Sequence, residues 1–261
     1  MPDIAIVASA FGVDAVRRAG HRAWISTAVR AGAAGFEVRR ELFATPAETE
    51  LASLCQLGSA LLNAGLWSVL STPDELFADD GALNLRGLRL ARDEASTLRA
   101  RFVKLQLGGF RGEAHAPGFA DEIAECLDGA PVRLVVENGQ NRVGGALAQF
   151  VDLFGALAAA GREGLVGMTF DAGNWQWTGE SPLDAADRLA PFVDYIHCKA
   201  VRGEGSRRFA VAPAPDDTAF AHLLQRLPRD VPRGIEFPFA AREPEPLAAE
   251  AARYVAWLAA V

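Results

Sequence analysis

Four residues in the second half of the chain each close an apolar run with a group that can bind a cation. Val-Arg-Leu-Val-Val ends in Glu137, Gly-Met-Thr-Phe in Asp171, Tyr-Ile in His197 and Gly-Ile in Glu236. An ionised carboxylate at such a place is costly to bury unless it is paired or bound to a metal. Three carboxylates and one imidazole make a hard, mainly oxygen-donor set. That set suits Mn²⁺, Mg²⁺ or Co²⁺ and can also hold Zn²⁺. One such residue alone reads as a salt-bridge partner at a strand end. Four at equivalent positions in successive repeats read as a site for one divalent ion, with Mn²⁺ the first expectation.

The basic residues add a second signal. Of 26 lysines and arginines only Lys104 and Lys199 are lysines, so 24 are arginines. A composition rich in Ala, Gly and Arg replaces lysine wherever arginine will serve. The two that remain are either chance survivors or places where a compact ammonium, not a planar fork, is needed. Both fall at the ends of apolar runs, and period-two alternation puts Lys199 on the same face as His197, with Cys198 facing the other way. Cys55, Cys126 and Cys198 are far apart and form no CxxC pair, so they read as reduced core thiols.

Such side chains need strands to present them. Short β-branched runs at Ile4–Ala8, Gly35–Arg39, Leu66–Leu70, Phe102–Leu107, Val132–Glu137, Val166–Phe170, Tyr195–Lys199 and Gly234–Phe237 alternate with segments of helical period. The helical segments are 21–34, 47–64, 84–100, 118–128, 145–160, 183–190, 217–227 and 246–260. Thr45-Pro46 and Ser181-Pro182 look like helix starts, and Gly35, Gly65 and Gly161 like helix stops. Eight strand-then-helix units in 261 residues predict an α/β fold, a single-domain (β/α)₈ barrel spanning residues 1–261. No GxGxxG follows the first strand, which argues against an open dinucleotide-binding sheet. In a barrel of this kind the C-terminal strand ends carry the active site. The other groups delivered there include Glu37, Arg39, Arg40 and Glu41 from strand two, Lys104 and Gln106 from strand four, and Asn174, Trp175 and Trp177 after strand six.

Composition bounds the partners. Half the residues are hydrophobic, 23% are charged and the net charge is −7. That speaks against a dedicated nucleic-acid binder. No apolar stretch is long enough to span a bilayer, and Met1-Pro2-Asp3 lacks the character of a secretion signal. A cytoplasmic protein with a small-molecule substrate and no nucleic-acid or membrane partner is expected, and a homo-oligomer is compatible with this composition.

The segments Val-Val-Glu137, Phe-Asp171-Ala-Gly-Asn174, Ile-His197-Cys-Lys199 and Gly-Ile-Glu236-Phe-Pro resemble the xylose isomerase-like TIM-barrel superfamily. That group includes sugar epimerases, hydroxypyruvate isomerase, inosose and 3-dehydroshikimate dehydratases, and the endonuclease IV repair enzymes. The resemblance implies that Glu137, Asp171, His197 and Glu236 hold one divalent metal ion, and that Glu137 and Glu236 also exchange protons with the substrate. The chain departs from the superfamily at two points. Asn174 stands where the epimerases carry a His, and Ala200 where many relatives carry an Asp after His-x-Lys.

The chemistry expected is proton abstraction next to a carbonyl through an enediolate, in a metal-dependent isomerase or epimerase of a small hydroxy-ketone or sugar-like substrate. The alternative is a dehydratase of the same superfamily. An abasic-site endonuclease is disfavoured because it needs additional His ligands, and the chain has four His. A non-catalytic metabolite-binding barrel is the remaining class. Lys199, Lys104, Asn174, Arg202, Trp175, Gln106 and Glu41 are the candidate substrate contacts. Their cations would favour an anionic group on the substrate. Trp175 and Trp177 are either an aromatic wall for a sugar or anchors that pack the loop. Glu37 or Glu41 is a candidate to orient His197, and His21, His115 and His222 are expected at the surface.

Overall fold

The computed structural model describes residues 1–261 apart from the Ser206 side chain. Eight parallel strands close on themselves in the order β1-β10-β7-β6-β5-β4-β3-β2. They are β1 (Ile4–Val7), β2 (Gly35–Arg39), β3 (Trp67–Phe77), β4 (Phe102–Gly108), β5 (Arg133–Glu137), β6 (Gly167–Asp171), β7 (Val193–Cys198) and β10 (Arg233–Ile235). The expected (β/α)₈ barrel is therefore the architecture. Among the described residues no helix is long and apolar enough to cross a membrane.

The helices are α1 (Val13–Ala19), α2 (Ile25–Arg30), α3 (Leu51–Asn63), α4 (Leu85–Leu98), α5 (Phe119–Leu127), α6 (Leu147–Ala159), α7 (Asn174–Thr178), α8 (Pro182–Leu189), α9 (Thr218–Arg226) and α10 (Pro244–Ala260). Local chemistry explains several boundaries. The Ser181 side chain accepts from the Asp184 amide, and Pro182 opens α8 in the first turn, where its missing N–H costs nothing. Gly65 and Gly161 follow α3 and α6 with positive φ, as helix stops should.

Several expectations are corrected. The segment 21–34 is not one helix: a 3₁₀ turn (His21–Trp24) precedes the short α2, and α1 was not anticipated at all. Gly35 opens β2 rather than stopping a helix, and the stop belongs to Gly32 at φ 75°. Thr45-Pro46 begins a 3₁₀ turn (Pro46–Thr49), with α3 starting only at Leu51. An antiparallel hairpin, β8 (Ala200–Arg202) with β9 (Phe209–Val211), grows directly from the end of β7.

Two apolar clusters result. The larger fills the shell between the barrel and its helices, and Cys198 lies in it as alternation predicts. The smaller sits inside the barrel and consists of Ala5, Val69, Phe102, Val135 and Tyr195, with Trp67 against it. Above this small interior cluster stand charged side chains.

Candidate metal centre

Strand register brings the four proposed ligands together. Glu137 ends β5 and Asp171 ends β6; Asp171 lies opposite His197 of β7, and His197 lies opposite Gly234 of β10, two residues before Glu236. One ligand atom from each of Glu137, Asp171, His197 and Glu236 lies within 4.8 Å of all the others. His197 Nδ1 is the hub, 2.6 Å from Glu137 Oε1, 3.2 Å from Glu236 Oε2 and 3.8 Å from Asp171 Oδ2.

Each ligand is held by its remaining polar atom. The Nε2 edge of His197 meets Glu37 Oε2 at 2.7 Å, which fixes the ring and leaves Nδ1 turned towards the carboxylates. Glu137 Oε2 accepts from Lys104 and, at 2.6 Å, from Gln106. Asp171 Oδ1 accepts the amides of Gly173 and Asn174, both at 2.9 Å. Glu236 Oε1 accepts from Arg39 at 2.7 Å. One oxygen of each carboxylate is thus turned outward to protein donors and the other inward. Glu137 Oε1, Asp171 Oδ2 and His197 Nδ1 are buried without a well-aligned hydrogen bond. Convergent, under-satisfied donors of this kind fit a divalent cation.

The electrostatics agree. Burial by itself would lower the His197 pKa, but Glu37, Glu236 and Glu137 outweigh it and hold it well above the usual imidazole value. Burial would raise the Glu236 carboxyl, yet Lys199, His197 and Arg39 keep it well below the usual range. Burial opposes the charge of Lys104 too, and Glu137 and Glu37 restore it. The carboxylates around His197 thus form a concentration of negative charge that a divalent ion would offset.

The other sequence candidates divide. Gln106 and Lys104 touch Glu137 from behind; Lys104 is fully buried beneath it, 3.7 Å from Glu37 as well. Lys199 reaches Asp171 Oδ2 and Glu236 Oε2, each at 2.7 Å. Glu41 accepts from Arg39 Nε at 2.6 Å at the half-buried rim, and Glu37, not Glu41, orients His197. Asn174 is buried and donates to the Asn138 carbonyl at 2.7 Å, so it braces the Asp171 loop.

One candidate contact is corrected, and two others are placed. Trp175 is fully buried against Phe150 and Phe170 and offers no wall to a ligand, because α7 turns it into the shell. The half-buried Trp177 is the indole beside the site, with the Lys199 ammonium 5.7 Å from its ring. Arg202 is exposed on the hairpin opposite Phe209 and contacts none of the four ligands. Two readings outside the site also change. Cys55 is exposed, not in the core, and His21 is buried, accepting the Arg39 amide at 3.2 Å, whereas His115 and His222 are exposed.

Sequence reasoning missed two residues that build the site. Asn138 pairs with the Asp171 backbone through both side-chain atoms, at 2.8 and 3.1 Å; its position directly after Glu137 was the available signal. Arg39, seen in the sequence only as one of the groups leaving strand two, grips Glu236 from 197 residues away. Gly173 and Gly234 make room for the rest. A Cβ on Gly173 would lie 2.7 Å from Lys199 Cγ, and one on Gly234 would lie 2.3 Å from the Tyr195 hydroxyl.

No family model matches the chain, and no curated protein matches its sequence. Solved structures do match over nearly the whole length. One is an IolI protein described with a bound zinc atom (12% identity, 99% of this chain and 98% of that one, TM-score 0.70). Another is an L-ribulose 3-epimerase (16%, 100% and 95%, TM-score 0.68). A third is AsbF, a probable 3-DHS dehydratase from Bacillus anthracis (14%, 95% and 97%, TM-score 0.63). At these identities the likeness is one of fold, the (β/α)₈ barrel already described.

Proposed function

We propose that the protein is a divalent-metal-dependent isomerase or epimerase of a small hydroxy-ketone or sugar-like substrate. The observation that carries this reading is the convergence of Glu137, Asp171, His197 and Glu236 at the C-terminal mouth of the barrel. The neighbouring folds of an L-ribulose 3-epimerase and of a zinc-binding IolI protein support it. These four residues would hold the ion, with Mn²⁺ first and Mg²⁺, Co²⁺ or Zn²⁺ as substitutes. When bound, the ion polarises the substrate carbonyl and so acidifies the adjacent C–H.

The chain's own residues do the rest. Glu137 and Glu236 approach the centre from β5 and from the end of β10, on either side of the β6 and β7 ligands. Each has one oxygen fixed by cationic donors and the other turned inward. One would remove the proton from the carbon next to the carbonyl, giving the enediolate, and the other would return a proton from the opposite face. Glu37 holds the His197 ring through either stage. Lys199 and Trp177 stand at the mouth as substrate contacts; Lys104 and Gln106 act behind Glu137 and Asn174 behind Asp171. The substrate is a small molecule, and the cations at the mouth favour an anionic group on it.

Glu137→Gln and Glu236→Gln test the reading in the Mn²⁺-loaded protein over a panel of ketoses and keto acids. Each should lose about 10²–10⁴ in kcat, and one of them should still exchange the substrate proton for deuterium from solvent. A wild-type protein that binds no divalent ion, or exchanges no proton across the panel, refutes it. The second reading is a dehydratase, as AsbF is described, in which loss of hydroxide follows the same abstraction. A product lighter by one water identifies that outcome.

A further inference from the structure

The two buried lysines play opposite parts. Lys104 approaches Glu137 at Oε2, the oxygen turned away from the centre, and its other partner is Glu37. It neutralises the cluster from behind and leaves the inward oxygens free. Lys199 does the reverse. Its ammonium lies 2.7 Å from Asp171 Oδ2 and 2.7 Å from Glu236 Oε2, two inward oxygens of the ligand set, and among the described residues it has no other ion-pair partner. The same Asp171 oxygen faces His197 Nδ1 at 3.8 Å and the same Glu236 oxygen at 3.2 Å.

We infer that Lys199 is a built-in counter-cation that competes with the metal ion for Asp171 and Glu236 and is displaced when the ion binds. This rests on the metal-site reading of the preceding section. An ammonium and a divalent ion a few ångströms apart repel strongly, so the two compete for these oxygens. Lys199 therefore keeps the carboxylates in place and neutralised before metal arrives, and it lowers affinity for any ion too weakly bound to displace it.

The structure also provides a place for the released ammonium. Its stem crosses Gly173, where any Cβ would block it, and its head already lies 5.7 Å from the Trp177 ring. The ammonium is therefore already over that ring, a favourable position for a cation, and can keep this contact as it leaves the two carboxylates. Arginine would serve poorly here, since its fork holds two carboxylates bidentately and releases them less readily. A lysine retained in a chain of 24 arginines is consistent with that demand.

Calorimetric titration with Mn²⁺ tests the inference. Lys199→Met should bind Mn²⁺ at least about tenfold more tightly than wild type, a gain of about 1.4 kcal/mol, and Lys199→Arg more weakly than wild type. A Lys199→Met protein that binds Mn²⁺ with unchanged or lower affinity overturns the proposal. A second measurement uses the wild-type protein alone and survives any folding defect in the variants. With only two lysines in the chain, reductive methylation read by mass spectrometry reports on each separately. Mn²⁺ should raise the modification of Lys199 and leave Lys104 protected. Equal modification of Lys199 with and without bound Mn²⁺ overturns displacement. If wild type and both variants bind no Mn²⁺, the metal site itself has failed, and that result is distinct from either of these.

Discussion

The inside of the barrel and the shell around it are built on different principles. The shell packs strand residues such as Val103, Leu105, Val136, Phe170 and Ile196 against helix residues such as Leu88, Phe119, Phe150 and Leu189. Its interlocked side chains carry almost no charge. The interior has only a small apolar floor of Ala5, Val69, Phe102, Val135 and Tyr195. Above that floor Glu37, Lys104, Glu137, Asp171, His197 and Lys199 are all buried. A layer of ion pairs does there what methyl groups do outside. Apolar packing is tolerant, because many arrangements of similar volume are nearly equivalent. A buried ionic layer is not, because each charge depends on its partner. The consequence is a shell that supplies stability and an interior that supplies geometry, at a cost the shell must offset.

The largest effect is expected where one charge of that layer is removed. Glu37 touches His197 at 2.7 Å and Lys104 at 3.7 Å. Burial alone would raise its carboxyl, but those two cations hold it below the usual range. Glu37→Leu fills similar space and strands both partners, which should cost about 3–5 kcal/mol in urea unfolding. If the variant loses less than about 1 kcal/mol, within the range of an ordinary surface pair, the interior is held by packing after all. The contrast with the shell would then disappear.

His21 comes next, and it tests the border between the two regions. Its ring accepts the Arg39 amide at the end of β2, while the Arg39 side chain turns inward to Glu236. Burial, helped by the Arg39 charge, lowers its pKa from 6.5 to about 4. Above pH 6.5 the ring is neutral in folded and unfolded chains alike, so the full stability is present. As pH falls from 6.5 towards 4 the unfolded chain takes up the proton first, and stability is lost. The loss by pH 4.5 should be about 2–3 kcal/mol, read as the difference between wild type and His21→Gln. Parallel pH profiles for the two proteins would mean that His21 is free to protonate in the folded state, and that the end of β2 does not depend on it.

Alternation and strand ends were sufficient to see the barrel and the convergence of Glu137, Asp171, His197 and Glu236, because each stands at or directly beside the C-terminal end of a strand. They were also sufficient to place Cys198 outward beside an inward His197. What they could not show was depth. Lys104 and Lys199 both end up in the interior, but which carboxylate oxygen each one meets depends on barrel stagger, a property of all the strands together. Trp175 and Trp177 are two residues apart and fall on different sides of α7, a five-residue helix too short to show a period in sequence. The Arg39–Glu236 contact joins strands adjacent to β1 on either side, so only closure of the barrel brings them together. Local signals revealed which residues leave the strands. The distribution of charge among them is a tertiary property.

The smallest expected effect probes the shell next to the most charged point of the interior. Ile196 precedes His197 in β7, and alternation points it the other way, into the cluster between barrel and helices, fully buried. Ile196→Val removes one methylene without adding a polar atom or altering the β-branch that suits a strand. The cost should be about 0.5–1.5 kcal/mol, the usual range for this change in a packed core. Mn²⁺ affinity should stay at the wild-type value, since the His197 ring is fixed by Glu37 and not by its neighbours along the chain. This pairing of a stability loss with an unchanged centre is what separate regions require. Should Mn²⁺ affinity fall together with stability, the position of His197 depends on shell packing as much as on its carboxylate partner. The ionic layer would then be a passenger on the shell, and the Glu37 variant would owe its loss to a shifted strand rather than to stranded charges.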